Sequence, residues 1–213
     1  MRRLRTLVAA TVLTLALLPG CGREDDGNHH DRLDSMPSGM AEIPESADHN
    51  AADAHFSMMM IPHHAQALEM VDLTMGRPGL SPEFVELAEQ IRSAQAPEIE
   101  EMADWLEQWD LPVPATGRDH VHGGGHGSSG APMEHEHMDG MMTEEQMTEL
   151  KDAPDADFER LWLEMMIEHH QGAVTMAEAE LKDGEYADTQ HLAQHIIDSQ
   201  QAEIEQMEQM LGQ

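Results

Sequence analysis

One six-residue element occurs twice in this sequence. Met59-Met60-Ile61-Pro62-His63-His64 returns 106 residues later as Met165-Met166-Ile167-Glu168-His169-His170. Six residues after each histidine pair stands another methionine, Met70 in the first copy and Met176 in the second. Imidazoles and thioethers are electron-pair donors to metals. Thioethers are soft and suit Cu(I) or Ag(I), whereas imidazole suits copper, zinc and nickel. Where free thiols tend to oxidise, outside the cytoplasm, histidine with methionine is a means of holding Cu(I). The chain has 19 Met and 15 His but a single Cys among 213 residues, so the excess lies in these two donor types.

For the donors to act together, a helix must line them up. A helix advances 100° per residue, so Met59 to His63 is about 40° past one turn and Met59 to Met70 about 20° past three. Met59, His63 and Met70 therefore share one stripe, flanked by Phe56, Met60 and Ala67. Met165, His169 and Met176 form the same stripe in the second copy, flanked by Trp162, Met166 and Ala173. The stripe is also the apolar face, which points His63 and His169 inward and leaves His64 and His170 at its edge. Two readings compete. Methionines pack irregular cores well, and the buried histidines could be satisfied by Gln95, Glu98, Gln200 and Glu203 on neighbouring helices. Alternatively, the His/Met set is a metal site, because burying several imidazoles is costly unless they have partners.

The segments that must position the stripes are helical throughout. Apolar spacing predicts a helix over 47–75, broken by Gly76-Arg77-Pro78-Gly79. Ser81-Pro82-Glu83 starts a second, which runs to about Trp109. Thr143-Glu144-Glu145-Gln146 has the capping-box pattern and opens a short helix to about Lys151. A long helix then runs to Lys182, stopped at Asp183-Gly184, and a last one covers about Tyr186 to Leu211. The second helix of each half also matches: Gln95, Glu98, Ile99 and Met102 return as Gln200, Glu203, Ile204 and Met207. No stretch alternates as a strand does. The expected fold is all-α, a four-helix bundle of two repeated helical hairpins. Pro62 and Pro97 either kink their helices or mark boundaries.

A ferritin-like di-iron centre would need a Glu-x-x-His motif on each of two helices. The residues three before His63 and His169 are Met60 and Met166, which argues against it. Residues 112–142 form a Gly/His/Met-rich connector with His120, His122, His126, His135, His137, Met133, Met138, Met141 and Met142, which either gathers cations loosely or is a plain linker. His191 and His195, one turn apart, have a chelating spacing but no counterpart in the first half.

Eleven Lys+Arg against 42 Asp+Glu leave a formal charge of −31, which excludes nucleic acid as a partner and favours cations. Met1-Arg2-Arg3-Leu4-Arg5 and the apolar run Thr6 to Leu18 read as a signal peptide, residues 1–20, too short to span a bilayer comfortably. Leu18-Pro19-Gly20-Cys21 is similar to a bacterial lipobox. Cys21 is thus the expected lipidation site, anchoring the protein to the outer face of the cell membrane or within the envelope. Residues 21–46 are polar and read as a disordered tether.

The repeated Met-Ile-x-His-His element, with Met70, with Gln95-x-x-Glu98-Ile99-x-x-Met102 and with Gly140-Met141-Met142-Thr143, resembles the DUF305 family over about residues 47–213. In those terms repeat 1 covers about 47–111, the connector 112–142 and repeat 2 143–213. The resemblance implies a ferritin-like four-helix bundle, secreted or lipid-anchored in bacteria, with copper or silver binding and tolerance in some relatives. Carried over by position, it implies Met59, Met60, His63, His64, Met70, Met165, Met166, His169, His170 and Met176 as metal ligands, with Cu(I) as the ion. The function expected is a non-enzymatic, lipid-anchored, extracytoplasmic copper binder that buffers the metal or transfers it to an envelope partner. A metal-free Met-rich interaction protein and a small copper-dependent oxidoreductase are the alternatives.

Overall fold

The computed structural model describes residues 47–116 and 139–212. The signal peptide with Cys21, the tether and most of the connector, including His120, His122, His126, Met133, His135, His137 and Met138, lie outside the described residues. Among the described residues there are five helices and no strand: α1 (Ala51–Asp72), α2 (Pro82–Gln108), α3 (Glu144–Asp152), α4 (Asp155–Asp183) and α5 (Ala187–Leu211). None is long and apolar enough to cross a membrane.

Side-chain caps set the starts of α1, α2 and α3. Asn50 caps α1 and forms a capping box with Asp53. Ser81 caps α2 ahead of Pro82, and Thr143 forms a capping box with Gln146 on α3. Each cap satisfies backbone N–H groups that have no partner inside the helix. Neither internal proline marks a boundary, because α1 continues through Pro62 and α2 through Pro97. Gly184 ends α4 for another reason than left-handed backbone: its φ is −78°. A Cβ there would run into the carboxyl groups of Glu180 and Asp53.

The two hairpins, α1–α2 and α4–α5, pack chiefly through α1 against α4. These two helices run antiparallel. Asn50 Nδ2, at the start of α1, donates to the carbonyl of Asp183 at the end of α4 (2.9 Å). Trp162 Nε1, near the start of α4, donates to the carbonyl of Met70 near the end of α1 (2.8 Å). The core falls into two apolar clusters. One joins Ala67, Met70 and Val71 to Phe158, Trp162, Met165 and Met166. The other joins Phe56, Met60 and Ile61 to Ala173 and Ala177. His63, His64, His169 and His170 fall between the clusters on both helices, at one level of the bundle.

The halves also tie each other reciprocally. Asp53, on α1, accepts from the backbone N–H groups of Glu185 and Tyr186 at the start of α5 (both 3.0 Å). Its repeat counterpart Glu159, on α4, accepts from the N–H (3.0 Å) and hydroxyl (2.8 Å) of Ser81 at the start of α2. An acid from each hairpin thus holds the positive end of a helix in the other, where negative charge is favoured.

Candidate metal centre

All four repeated histidines are fully buried. The rings of His63 and His169 meet in the middle of the α1–α4 interface, their centroids 3.8 Å apart and tilted by 39°. The two stripes therefore face a common interior. His64 and His170 are not at an edge: α2 and α5 pack over that flank and supply a carboxylate to each. His64 Nε2 lies 2.8 Å from Glu98 Oε2, and His170 Nε2 lies 2.7 Å from Glu203 Oε2. His63 Nε2 lies 3.2 Å from the backbone carbonyl of Asp139, at the end of the connector.

These contacts use only part of the donor capacity of the cluster. The Nδ1 atoms of His63, His64 and His170 and both ring nitrogens of His169 are buried without a hydrogen-bond partner. The expected help from α2 and α5 arrives through the two glutamates alone, since both polar atoms of the Gln95 side chain and Oε1 of Gln200 are also unpartnered. Each such group costs about 1–3 kcal/mol, against a total folding margin of about 5–15 kcal/mol. Burial, reinforced by the neighbouring His64, drives the His63 pKa down to about 3. His169 is driven well below the usual histidine range by burial and then by His63. Both rings are therefore neutral at physiological pH, the form that binds metals.

Of the methionines expected at the site, Met60, Met70 and Met166 are fully buried and Met165 nearly so. Met59 and Met176 are half-buried. Met60 belongs to the cluster beyond one side of the histidine level, Met70, Met165 and Met166 to the cluster beyond the other. Among the described residues no three His, Cys, Asp or Glu side chains converge to hold a metal. A metal here would thus have to draw on the thioethers. Orphaned imidazole nitrogens between sulfur-bearing clusters fit a soft monovalent ion. His191 and His195 are exposed, and His195 comes only within 3.9 Å of Glu98.

The connector's end makes a strap that the repeat pattern alone did not reveal. Gly140 lies against Gly172 and the Glu168 carbonyl, so close that a Cβ on Gly172 would overlap the Asp139 carbonyl. Gln66 then clamps Met142 from both sides, its Nε2 donating to the carbonyl (2.8 Å) and its Oε1 accepting from the N–H (2.7 Å). Gln66 and Gly172 occupy matching positions of the two repeats. Their divergence is the signal in the sequence: one side grips the strap and the other gives it room.

The family model "Domain of unknown function (DUF305)" matches residues 53–211. Solved structures similar to this chain include a DUF305 fragment from Deinococcus radiodurans, 30% identical, with a TM-score of 0.64 over 78% of this chain and 99% of the other. A DUF305 protein from Streptomyces coelicolor, assigned as secreted, is 30% identical, with a TM-score of 0.63 over 76% of this chain and 92% of the other. CopM in its Cu(I)-bound form is 33% identical, with a TM-score of 0.57 over 74% of this chain and 94% of the other. CopM is also known in Cu(II)-bound and Ag-bound forms. No curated protein matches this chain.

Proposed function

The chain belongs to the DUF305 family, and from that membership we propose that it is an extracytoplasmic copper-binding protein that takes up Cu(I) in its buried His/Met cluster. The observation that carries the reading is the set of five buried imidazole nitrogens without partners, on histidines that two copies of one sequence element bring together. A core arranged only for stability gains nothing by leaving them unpaired. Since no three His, Cys, Asp or Glu side chains converge among the described residues, His63, His64, His169 and His170 would supply nitrogen to any one ion in pairs at most, and Met60, Met70, Met165 and Met166 sulfur, with Met59 and Met176 at the periphery. Bound copper and silver in CopM, at 33% identity, support the same choice of ion. The acidic surface favours cation approach. A lipid on Cys21 would hold the protein at the membrane, where it would buffer the metal or pass it on.

A Met-lined docking groove finds less support. Among the described methionines Met75 alone is exposed, so the sulfur-rich face is inside the bundle. Metal analysis of the protein after reconstitution with Cu(I) under reducing conditions, and with Cu(II) under oxidising ones, tests the reading. Retention of Cu(I) through desalting is the expected result. A chain that emerges metal-free under both conditions does not have this function.

A further inference from the structure

The two outer histidines differ from the inner pair in one respect. Each has a carboxylate on Nε2 and nothing on Nδ1. His64 Nε2 is 2.8 Å from Glu98 Oε2, His170 Nε2 is 2.7 Å from Glu203 Oε2, and both Nδ1 atoms are buried and unpartnered. The arrangement is built twice, at positions that correspond in the repeats. An ionised carboxylate only accepts hydrogen bonds, so the nitrogen facing it must carry the proton. A neutral imidazole with its proton on Nε2 has its lone pair on Nδ1. A second proton on Nδ1 would be a buried donor without an acceptor, a rare and costly situation.

We propose that Glu98 and Glu203 are positioning residues of the metal centre, each holding the outer histidine of its pair as the Nε2–H tautomer so that Nδ1 is the atom offered to a soft monovalent cation. Carboxylates that accept from the far nitrogen of a ligating imidazole fix its tautomer and ring orientation and raise its basicity. His63 is held the same way by a backbone carbonyl, since its Nε2 faces Asp139. Three of the four rings, those of His63, His64 and His170, thus present Nδ1. The second oxygen of Glu98, Oε1, lies 3.9 Å from the exposed His195, too far for a hydrogen bond.

The inference rests on the copper reading for its purpose but not for its first test. Nitrogen-15 NMR of the metal-free, full-length protein reports the tautomer of each histidine directly. His64 and His170 are expected to carry a proton on Nε2. An Nδ1–H tautomer at either position overturns the inference, whatever the protein does with copper. On adding Cu(I) the Nδ1 resonances should shift while Nε2 keeps its proton, and a shift at Nε2 with the proton lost from it overturns the assignment of the donor atom. Glu98→Leu should weaken Cu(I) binding about 10–100-fold, and Glu98→Gln, whose amide oxygen still accepts from Nε2–H, should stay within a few fold of wild type. Equal loss in both variants, or none in either, contradicts a positioning role. If Glu98→Leu does not fold, the wild-type spectra and the glutamine variant still decide. Absence of any Cu(I) binding by the wild-type protein removes the copper reading and the donor role with it, and leaves the tautomer result standing alone.

Discussion

At the scale of single residues, Gly172 shows how little room the centre leaves. Its Cα faces the strap at Asp139 and Gly140, and the atoms a side chain would meet are backbone, which cannot swing aside. Gly172→Ala should therefore push Asp139 off His63 and destabilise the protein by about 1–3 kcal/mol, the usual cost of overpacking. Hydrogen exchange at the Met142 amide, held at present by Gln66, checks this: exchange should accelerate in the variant, and unchanged protection would show that the strap tolerates the methyl group. The inward placement of His63 and His169 was legible from type and spacing alone, because a helical stripe follows directly from 100° per residue, whereas Met59 and Met176 of the same stripes are only half-buried. The full burial of His64 and His170 was not. It depends on α2 and α5 closing over that flank, and the period of one helix carries no information about what its neighbour covers.

At the scale of the elements, the helices and most of their caps could be read from the sequence within a few residues, since Ser81-Pro82 and Thr143-x-x-Gln146 act locally. The ties between hairpins could not, because they join residues far apart in the chain. One of them joins Asp53 and Glu180, both buried, with the Thr189 hydroxyl 2.9 Å from the first and 2.6 Å from the second. Burial, and then the hydrogen bond with Asp53, pushes Glu180 up to about 8. Burial acts the same way on Asp53, but its hydrogen bonds, from Glu180 first, outweigh it and hold that group below the usual range. Glu180 thus carries the proton of the pair at neutral pH. Between its ordinary value of 4.5 and about 8 the folded state binds more protons than the unfolded one. Stability from this group is therefore complete at the acid end and is lost as pH rises through about 8. Glu180→Gln keeps a neutral hydrogen-bonding side chain and removes the titration. Urea denaturation from pH 6 to 9 should show wild type losing stability toward pH 9 relative to the variant, and parallel profiles would mean that the proton is not held there.

At the scale of the whole molecule, the halves of a duplicated hairpin meet at one histidine level, in a chain of formal charge −31. Cys21→Ser should release the protein from the membrane fraction, because bacterial lipidation supplies the multiple chains that stable anchoring requires. A serine variant that stays in the membrane fraction would mean that Cys21 is not the anchor. The duplication was visible in the sequence, and so was the inward direction of His63 and His169. What the stripe is for depends on whether its unpaired nitrogens bind a metal or merely lie in a strained core. The direct test is an anaerobic Cu(I) competition titration of wild type beside the His63→Ala/His169→Ala double variant, with circular dichroism confirming that both are helical. The double variant should fold, with its tightest Cu(I) site weaker by about 100-fold or more, beyond the 10–100-fold typical of losing an outer partner of a ligand. A folded double variant that binds Cu(I) as tightly as wild type would contradict a copper site at these histidines.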